Sequence, residues 1–528
     1  MTARNASPRI DSQSYRHLLV QYVLLFIGCL LFHIAGTWSL PLIDRDEPRF
    51  AEASREMIQR GDYVVPYFNN QLRLDKPPLT YWAQTVSYRM FGENDFAARF
   101  PSAVAAALIA MTISILGFKI GSRRTGWYAA IIFTLCLQTF IHAKAAVADM
   151  WLALFVTTAH WSGLELLRDG LTNSSPETSD IKPMKYHWWF LFYISLALGF
   201  LAKGPIAWTP LLTVGSTVFY APHLQLRRRL KFVRGITLML VMVAAWGIPA
   251  LIQTHGEFLR IGIGRHVIGR SFGAMEGHGW NSLGGYILLL PFYFVTVFVS
   301  FFPWSIRLHS LLKRLWHKHD KIDCYLFSGV AIIFAIFSLL KTKLPHYTLP
   351  AFGMMALLLA RHWFPEEDSS IKSVGSERSD SEELSKGRSR VTRRRSSITS
   401  MALTTASILI TIALIVPPLI ARFFPAYQLF RESRAHLQPA MQFASVEFEE
   451  PSLVWYFRSR VNTFLTRLNK KNALNFMSEP GPRFVVVPTS LVEGLFRNRP
   501  EAWRLFPVSA FNIPKGKKVE LTLVLKQE

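Results

Sequence analysis

The sequence predicts a polytopic α-helical membrane protein that ends in a small α/β domain, and three observations predict it. Half of the 528 residues are hydrophobic, more than a mixed soluble surface carries, and the mean hydropathy is positive at +0.22. The apolar residues fall in blocks of roughly 17–23, the length at which a helix crosses a ~30 Å hydrocarbon core. Lys and Arg gather in the connections between those blocks, as the positive-inside rule requires. The formal charge of +24 is therefore a signature of topology, and no nucleic-acid partner is expected. Membrane lipids are the expected surroundings.

Hydropathy places about eleven spans, near 17–39, 97–118, 125–143, 147–167, 187–203, 204–221, 233–253, 283–305, 324–341, 346–362 and 400–421. The first block has no small-residue cleavage site and reads as a retained anchor. With the N-terminus (Arg4, Arg9, Arg16) cytoplasmic, the basic connections Lys119–Arg124, Arg227–Arg234, Arg307–Lys321 and the run ending in Arg390, Arg393, Arg394 and Arg395 all fall inside. The opposite orientation would export nearly all of them.

The domain plan follows. Residues 1–362 form the membrane domain, with a first outside loop at 40–96 and a second large one at 254–282. Residues 363–399, rich in Ser, Glu and Arg, read as a disordered cytoplasmic linker, 400–421 as the last span, and 422–528 as an outside α/β domain. In that domain strands are expected at Ser452–Phe457, Arg483–Val487 and Glu520–Leu525, with helices near 460–470 and 490–497. Cys29, Cys136 and Cys324 lie in or beside apolar blocks and form neither a disulfide nor a metal pattern.

Chemistry concentrates in the first outside loop. Pro48 after Asp46 and Glu47 marks a helix start with both carboxylates near the positive end of the dipole, and Gly61 ends that helix. Asp46 and Glu47 serve either as caps or as acids. Beside Arg49 at the membrane surface, they suit a carboxylate base acting on an acceptor while the arginine holds a phosphate. Asp75-Lys76 precede Pro77-Pro78, which stiffen the chain and open an amphipathic helix (Leu79, Trp82, Ala83, Val86, Met90) able to lie in the interface. Asp149, Lys203 and the segment Lys341–Tyr347 fall on the same outside face. Charges at span ends are costly unless they snorkel or line a cavity, and so many on one face imply a shared polar cavity.

In order along this loop stand RDEPRFAEASREM, GDYVVPYFN and DKPPLTYW. Together they resemble the first periplasmic loop of the aminoarabinose (lipid A) transferase and protein O-mannosyltransferase group, GT-C-like integral-membrane glycosyltransferases. Ala143–Met150, Leu201–Pro205 and the SLLKTKLPHYTLP run from Ser338 to Pro350 continue the resemblance. It implies a GT-C-like fold of about eleven and up to thirteen transmembrane helices in a bacterial inner membrane. The first loop and C-terminal domain would then be periplasmic. It further implies inverting transfer of a sugar from polyprenyl (undecaprenyl) phosphate to lipid A, a related envelope glycolipid or protein.

On that resemblance Asp46, Asp149 and Glu47 are the catalytic candidates. Lys76, Arg49, Lys203, Arg270, Lys343 and Tyr347 are the candidates for the donor phosphate. Asp75 and His266 are candidate ligands of a divalent metal, the one cofactor the resemblance raises; two ligands so far apart in sequence define no geometry. The 365–398 linker and the lower span count depart from the better-known lipid A members and put the acceptor in doubt. A lipid-linked sugar transporter or flippase is the rival class, and it should show inverted repeats and midplane charges, neither of which is visible. No Gly-rich phosphate loop is present, in keeping with a lipid-linked donor. No motif specifies an oligomer.

Overall fold

A computed structural model describes residues 12–172, 186–269, 282–363, 381–513 and 515–528, the side chains of 12–15, 263, 265–268 and 381–397 excepted. The first part of the chain is helical: α1 (Ser12–Ile34), α2 (Asp46–Arg60), α3 (Leu79–Phe91), α4 (Asp95–Ile120), α5 (Arg123–Thr134), α6 (Leu137–Ala143), α7 (Asp149–Thr172) and α8 (Tyr186–Lys203).

Five described helices are long and apolar enough to cross a membrane: Arg16–Ile34, Asp95–Ile120, Leu226–Gln253, Lys321–Leu339 and Ile398–Phe423. Two bent pairs, α5 with α6 at 67° and Phe292–Ser300 with Trp304–His317 at 118°, bring the number to seven if each pair is one span. The other expected spans show why the count differs. α7 and α8 form as helices where spans were expected, but α7 carries Asp149, Glu165, Arg168 and Asp169, and α8 opens on Tyr-His-Trp-Trp. Prolines break the expected spans at 204–221 and 346–362: Pro205–Trp208 and Pro345–Ala351 are 3₁₀ turns, each followed by a shorter helix. Phe352–Trp363 has 12 residues, about 18 Å of helix, which falls short of a bilayer.

Small residues let the central helices approach closely. The face of α4 bearing Ala103, Ala106, Ala107 and Ala110 is fully buried, and a Cβ on Gly117 would stand 2.7 Å from the Cα of Gly126 in α5. Membrane helices pack by such contacts because lipid offers little hydrophobic drive between them.

The first loop folds as expected at its start. α2 begins at Asp46 and ends on Gly61, left-handed at φ 67°, whose N–H donates to the Ile58 carbonyl. A two-residue hairpin follows, β1 (Tyr67–Phe68) against β2 (Gln71–Leu72), turning through Asn69 and Asn70 at φ 53° and 61°. Asn tolerates those positive angles, which the twist of a two-residue hairpin turn demands. α3 runs from Leu79 after the double proline with Val86 and Met90 exposed, the apolar face predicted to lie at an interface.

The C-terminal unit is a five-stranded mixed sheet: β3 (Gln442–Val446), β4 (Leu465–Leu468), β5 (Arg483–Pro488), β6 (Arg504–Asn512) and β7 (Lys517–Lys526), in the order β4-β3-β5-β7-β6. β3 runs parallel to β4 and β5, and β7 antiparallel to β5 and β6. Two expectations are corrected. Ser452–Phe457 lies in a helix, Pro451–Phe457, started by a proline at its first position and fully buried. The 460–470 region holds strand β4 rather than a helix. The apolar run of five, Leu453–Phe457, is too short for its period to separate the two forms. Of the linker expected at 363–399, Trp363 ends the helix Phe352–Trp363, residues 364–380 lie outside the described residues, and the helix Ser381–Ile420 covers 381–399.

The sheet domain clamps the first loop. Tyr456 Oη accepts the Leu42 N–H at 2.8 Å and donates to Asp95 at 2.9 Å, and Trp455 Nε1 donates to Asp95 at 2.7 Å. Ser452 donates its N–H and hydroxyl to Asp44 at 2.8 and 2.5 Å. Asn69, on the hairpin turn, exchanges two hydrogen bonds with the backbone of Leu465. Beneath them Glu52 is shared between Arg55 at 2.7 Å and Arg458, all three buried. One apolar core runs from Leu42, Ala51 and Tyr88 into Trp455, Phe457 and Phe484, so loop and domain lie on the same side of the helices.

Candidate functional site

A cavity of about 480 Å³ opens where the first loop meets α7, α8 and the Lys341–Pro350 segment. One end is polar, lined by Asp75, Lys76, Asp149, Lys203, Thr342 and Tyr347; the rest is apolar, lined by Leu152, Ile206, Trp208, Leu211, Leu212, Ile336, Phe337 and Leu340. A polar head joined to an apolar tail is the shape such a surface accepts.

Each polar side chain is placed by a local break in the helices. Asp149 opens α7 directly after the 144–148 turn, and Lys203 closes α8 where Gly204 takes φ 86°, ψ −158°, a conformation other residues avoid. These ends meet: Lys203 Nζ donates to Asp149 Oδ1 at 2.5 Å. The same ammonium lies 5.3 Å from the centre of the Tyr347 ring, which packs on Phe337 at 4.9 Å. Pro77 and Pro78 hold Asp75 and Lys76 at the cavity mouth, with Lys76 Nζ 3.8 Å from Asp75 Oδ2. Arg73 braces this corner from behind, 3.4 Å from Asp75 Oδ2, donating to Tyr81 Oη at 2.9 Å and facing the Phe50 ring at 5.1 Å.

The structure thus brings five of the expected residues into one cavity: Asp75, Lys76, Asp149, Lys203 and Tyr347. Asp46 is exposed at the first residue of α2, near enough to Arg73 to help hold that guanidinium charged. Arg49 is half-buried one turn on and bears electrostatically on Asp44. Glu47 faces inward: it pairs with Arg99 at 2.7 Å and accepts the N–H groups of Ile43 and Ala146, each at 2.7 Å. Lys343 is buried and donates to the carbonyls of Phe337 and Ser338, at 3.0 and 2.5 Å, at the end of the helix Lys321–Leu339. Arg270 and the side chain of His266 lie outside the described residues.

Three participants escaped the sequence reading. Arg73 gave no signal beyond its closeness to Asp75. His142 and His346, two helix breaks apart, converge on Asp149; one donor atom from each of the three lies within 4.8 Å of the others. His346 stands inside the KLPHYTLP run, where the flanking lysines and tyrosine drew the assignment instead.

Residues 20–256 match the family described as dolichyl-phosphate-mannose-protein mannosyltransferase. The chain is 28% identical over 341 residues to the undecaprenyl phosphate-alpha-4-amino-4-deoxy-L-arabinose arabinosyl transferase of Aeromonas hydrophila, a match covering 63% of this chain and 58% of that one. It is 25% identical over 354 residues to an uncharacterized protein of Aquifex aeolicus, covering 65% and 64% of the two chains. Less than two thirds of each of these relatives is spanned. Among solved structures, ArnT from Cupriavidus metallidurans bound to undecaprenyl phosphate superposes with a TM-score of 0.72 at 17% identity, covering 96% of this chain and 98% of that one. Its apo state gives 0.68 at 18% identity, over 97% and 98%. The chain therefore has the fold of that ArnT, and its residues 20–256 are similar to the protein mannosyltransferase family.

Proposed function

We propose that the protein is an inverting glycosyltransferase that moves a sugar from polyprenyl (undecaprenyl) phosphate to an extracytoplasmic acceptor. Lipid A or a related envelope glycolipid is the first choice of acceptor, and protein the second. The observation that carries the reading is the single cavity in which an apolar channel ends on Lys76, Lys203 and Asp149. A prenyl chain suits the channel and its phosphate suits the ammonium groups, which oppose the charge that grows on a leaving phosphate. The relatives named for undecaprenyl phosphate chemistry and the likeness to ArnT support the same donor.

In this reading the acceptor oxygen attacks the anomeric carbon opposite the phosphate. The bond to the phosphate oxygen breaks, and the acceptor proton passes to a carboxylate, Asp46 or Asp149. Glu47 acts by fixing the start of α2 through Arg99, and Tyr347 by bounding the phosphate end. Arg49 and Arg270 supply further positive charge to the donor. Lys343 holds the end of its helix.

We further place the protein in a bacterial inner membrane with the cavity and C-terminal domain periplasmic and the N-terminus cytoplasmic. The basic connections favour this: Lys119 pairs with Glu165 at 3.3 Å, and Arg229 donates to the Leu166 carbonyl at 3.1 Å, so two of them meet at the end of α7 away from Asp149. Eleven spans remain our count, α7, α8 and the proline-broken helices crossing with their neighbours.

Purified protein given polyprenyl-phosphate sugar and candidate acceptors should release polyprenyl phosphate. Lys76→Ala and Asp149→Asn should each lower kcat/KM by at least 10²-fold, equivalent to about 2.7 kcal/mol of transition-state stabilisation. Release unchanged in both variants overturns the site; sugar movement across vesicles without transfer favours the transporter.

A further inference from the structure

We infer that His142, Asp149 and His346 form a binding site for one divalent transition metal of the zinc type at the wall of the cavity. The site is distinct from the Asp75 and His266 pair weighed on the sequence, and it holds or fails whether or not the protein transfers sugars.

The three residues come from three separate structural breaks: the last turn of α6, the first residue of α7, and the 3₁₀ turn Pro345–Ala351. Their donor atoms nonetheless lie within 4.8 Å of one another, with His346 Nε2 3.8 Å from Asp149 Oδ1 and the two imidazole centres 4.9 Å apart. Ligands bound to zinc at about 2.0–2.1 Å stand roughly 3.3 Å apart in a tetrahedron, so a contraction of at most about 1.5 Å suffices. Two imidazole nitrogens and a carboxylate oxygen are a borderline-soft set that suits zinc over magnesium or calcium, and three protein ligands leave a fourth position for an oxygen. His142 also has an outer partner, Gln138, whose side-chain nitrogen lies 2.8 Å from Nδ1. That leaves Nε2 for the ion. The amide can present its oxygen instead to receive an Nδ1 proton, the usual way a ligand imidazole is oriented.

Lys203 is the competitor. Its ammonium now holds Asp149 at 2.5 Å, and in a buried site one carboxylate does not neutralise two cations. Metal binding therefore releases Lys203 toward Tyr347, 5.3 Å away across the cavity. When bound, the ion supplies Lewis acidity to an oxygen in its open position; the lysine gains freedom to meet an anion.

Chelator-treated protein, purified in detergent and titrated with Co²⁺, tests this. One equivalent should bind with the visible d–d absorption of a tetrahedral nitrogen and oxygen site, and His142→Ala and His346→Ala should each weaken binding at least tenfold. His346→Cys should keep the metal and add a thiolate charge-transfer band, which a purely structural histidine would not produce. Lys203→Met should bind Co²⁺ at least tenfold more tightly, while Asp75→Ala with His266→Ala should bind as the parent does. Any of four results overturns the inference: no stoichiometric Co²⁺; binding indifferent to both histidines; no thiolate band; or loss of the ion only with Asp75 and His266. Lys203→Met binding no tighter than the parent overturns the exchange.

Discussion

Lys203 and Lys343 stand at or just after helix ends on one face of the molecule, yet their chemistry diverges. Lys203 ends a helix at a glycine that lets the chain leave sharply, so its ammonium projects into the cavity beside Asp149. Lys343 folds back on two carbonyls in the last turn of the helix before it, a use of lysine that satisfies orphan acceptors. Lys343→Met should lower thermal stability by about 1–3 kcal/mol, the cost of leaving buried carbonyls unpaired, with kcat/KM changed less than threefold. Lys203→Met should do the reverse, and paired melting and turnover measurements separate the two. Sequence placed both on the outer face but could not say which way either side chain turned, because that choice lies in the backbone of Gly204 and in the reach of the helix end.

At the scale of elements, the signals that could be read were local. Pro48 behind two acids and Gly61 at the far end specify α2, and Pro77-Pro78 specify the start of α3. The helix Pro451–Phe457 could not be read, since a fully buried run has no period to report. Yet this helix carries Ser452, Trp455 and Tyr456, and Arg458 follows it, so it is the piece that fastens the first loop. Arg458→Leu leaves Glu52 and Glu56 buried with one cation fewer and should cost about 3–5 kcal/mol, read as a lower unfolding midpoint.

The same junction responds to pH. Burial raises the Asp44 carboxyl to about 7 with nearby Glu450 adding to the rise, against the hydrogen bonds from Ser452 and the charge of Arg49. A carboxyl raised on folding binds more protons than the unfolded chain does. Stability from this group is thus full below about pH 4 and is lost as pH climbs toward 7. Asp44→Asn should flatten that slope and raise the melting temperature at pH 8, with little effect at pH 5.

Over the whole molecule, composition and charge asymmetry were enough for a membrane protein with one chemically loaded face. The eleven spans read from hydropathy exceed the five to seven long apolar helices among the described residues, because α7 and α8 carry charge and aromatic bulk that dilute their hydropathy, and prolines break two others into short pieces. The site itself was half legible: loop motifs gave Asp75, Lys76 and Lys203, whereas the meeting of His142 with His346 depends on tertiary structure across about two hundred residues.

The clamp also has a meaning in time. Leu42 and Tyr456 touch across 414 positions, and Glu52 and Arg458 across 406. A ribosome delivers the first loop some four hundred residues before its fastener. Until Arg458 has packed against it, Glu52 has only Arg55 as a cation partner, and the loop bearing Lys76 lacks its fastener. The arrangement makes synthesis of the fastening helix a condition of the loop's final fold: a nascent copy that stops short of Ser452 already carries the polar side chains of the cavity but lacks the part that holds their loop in place.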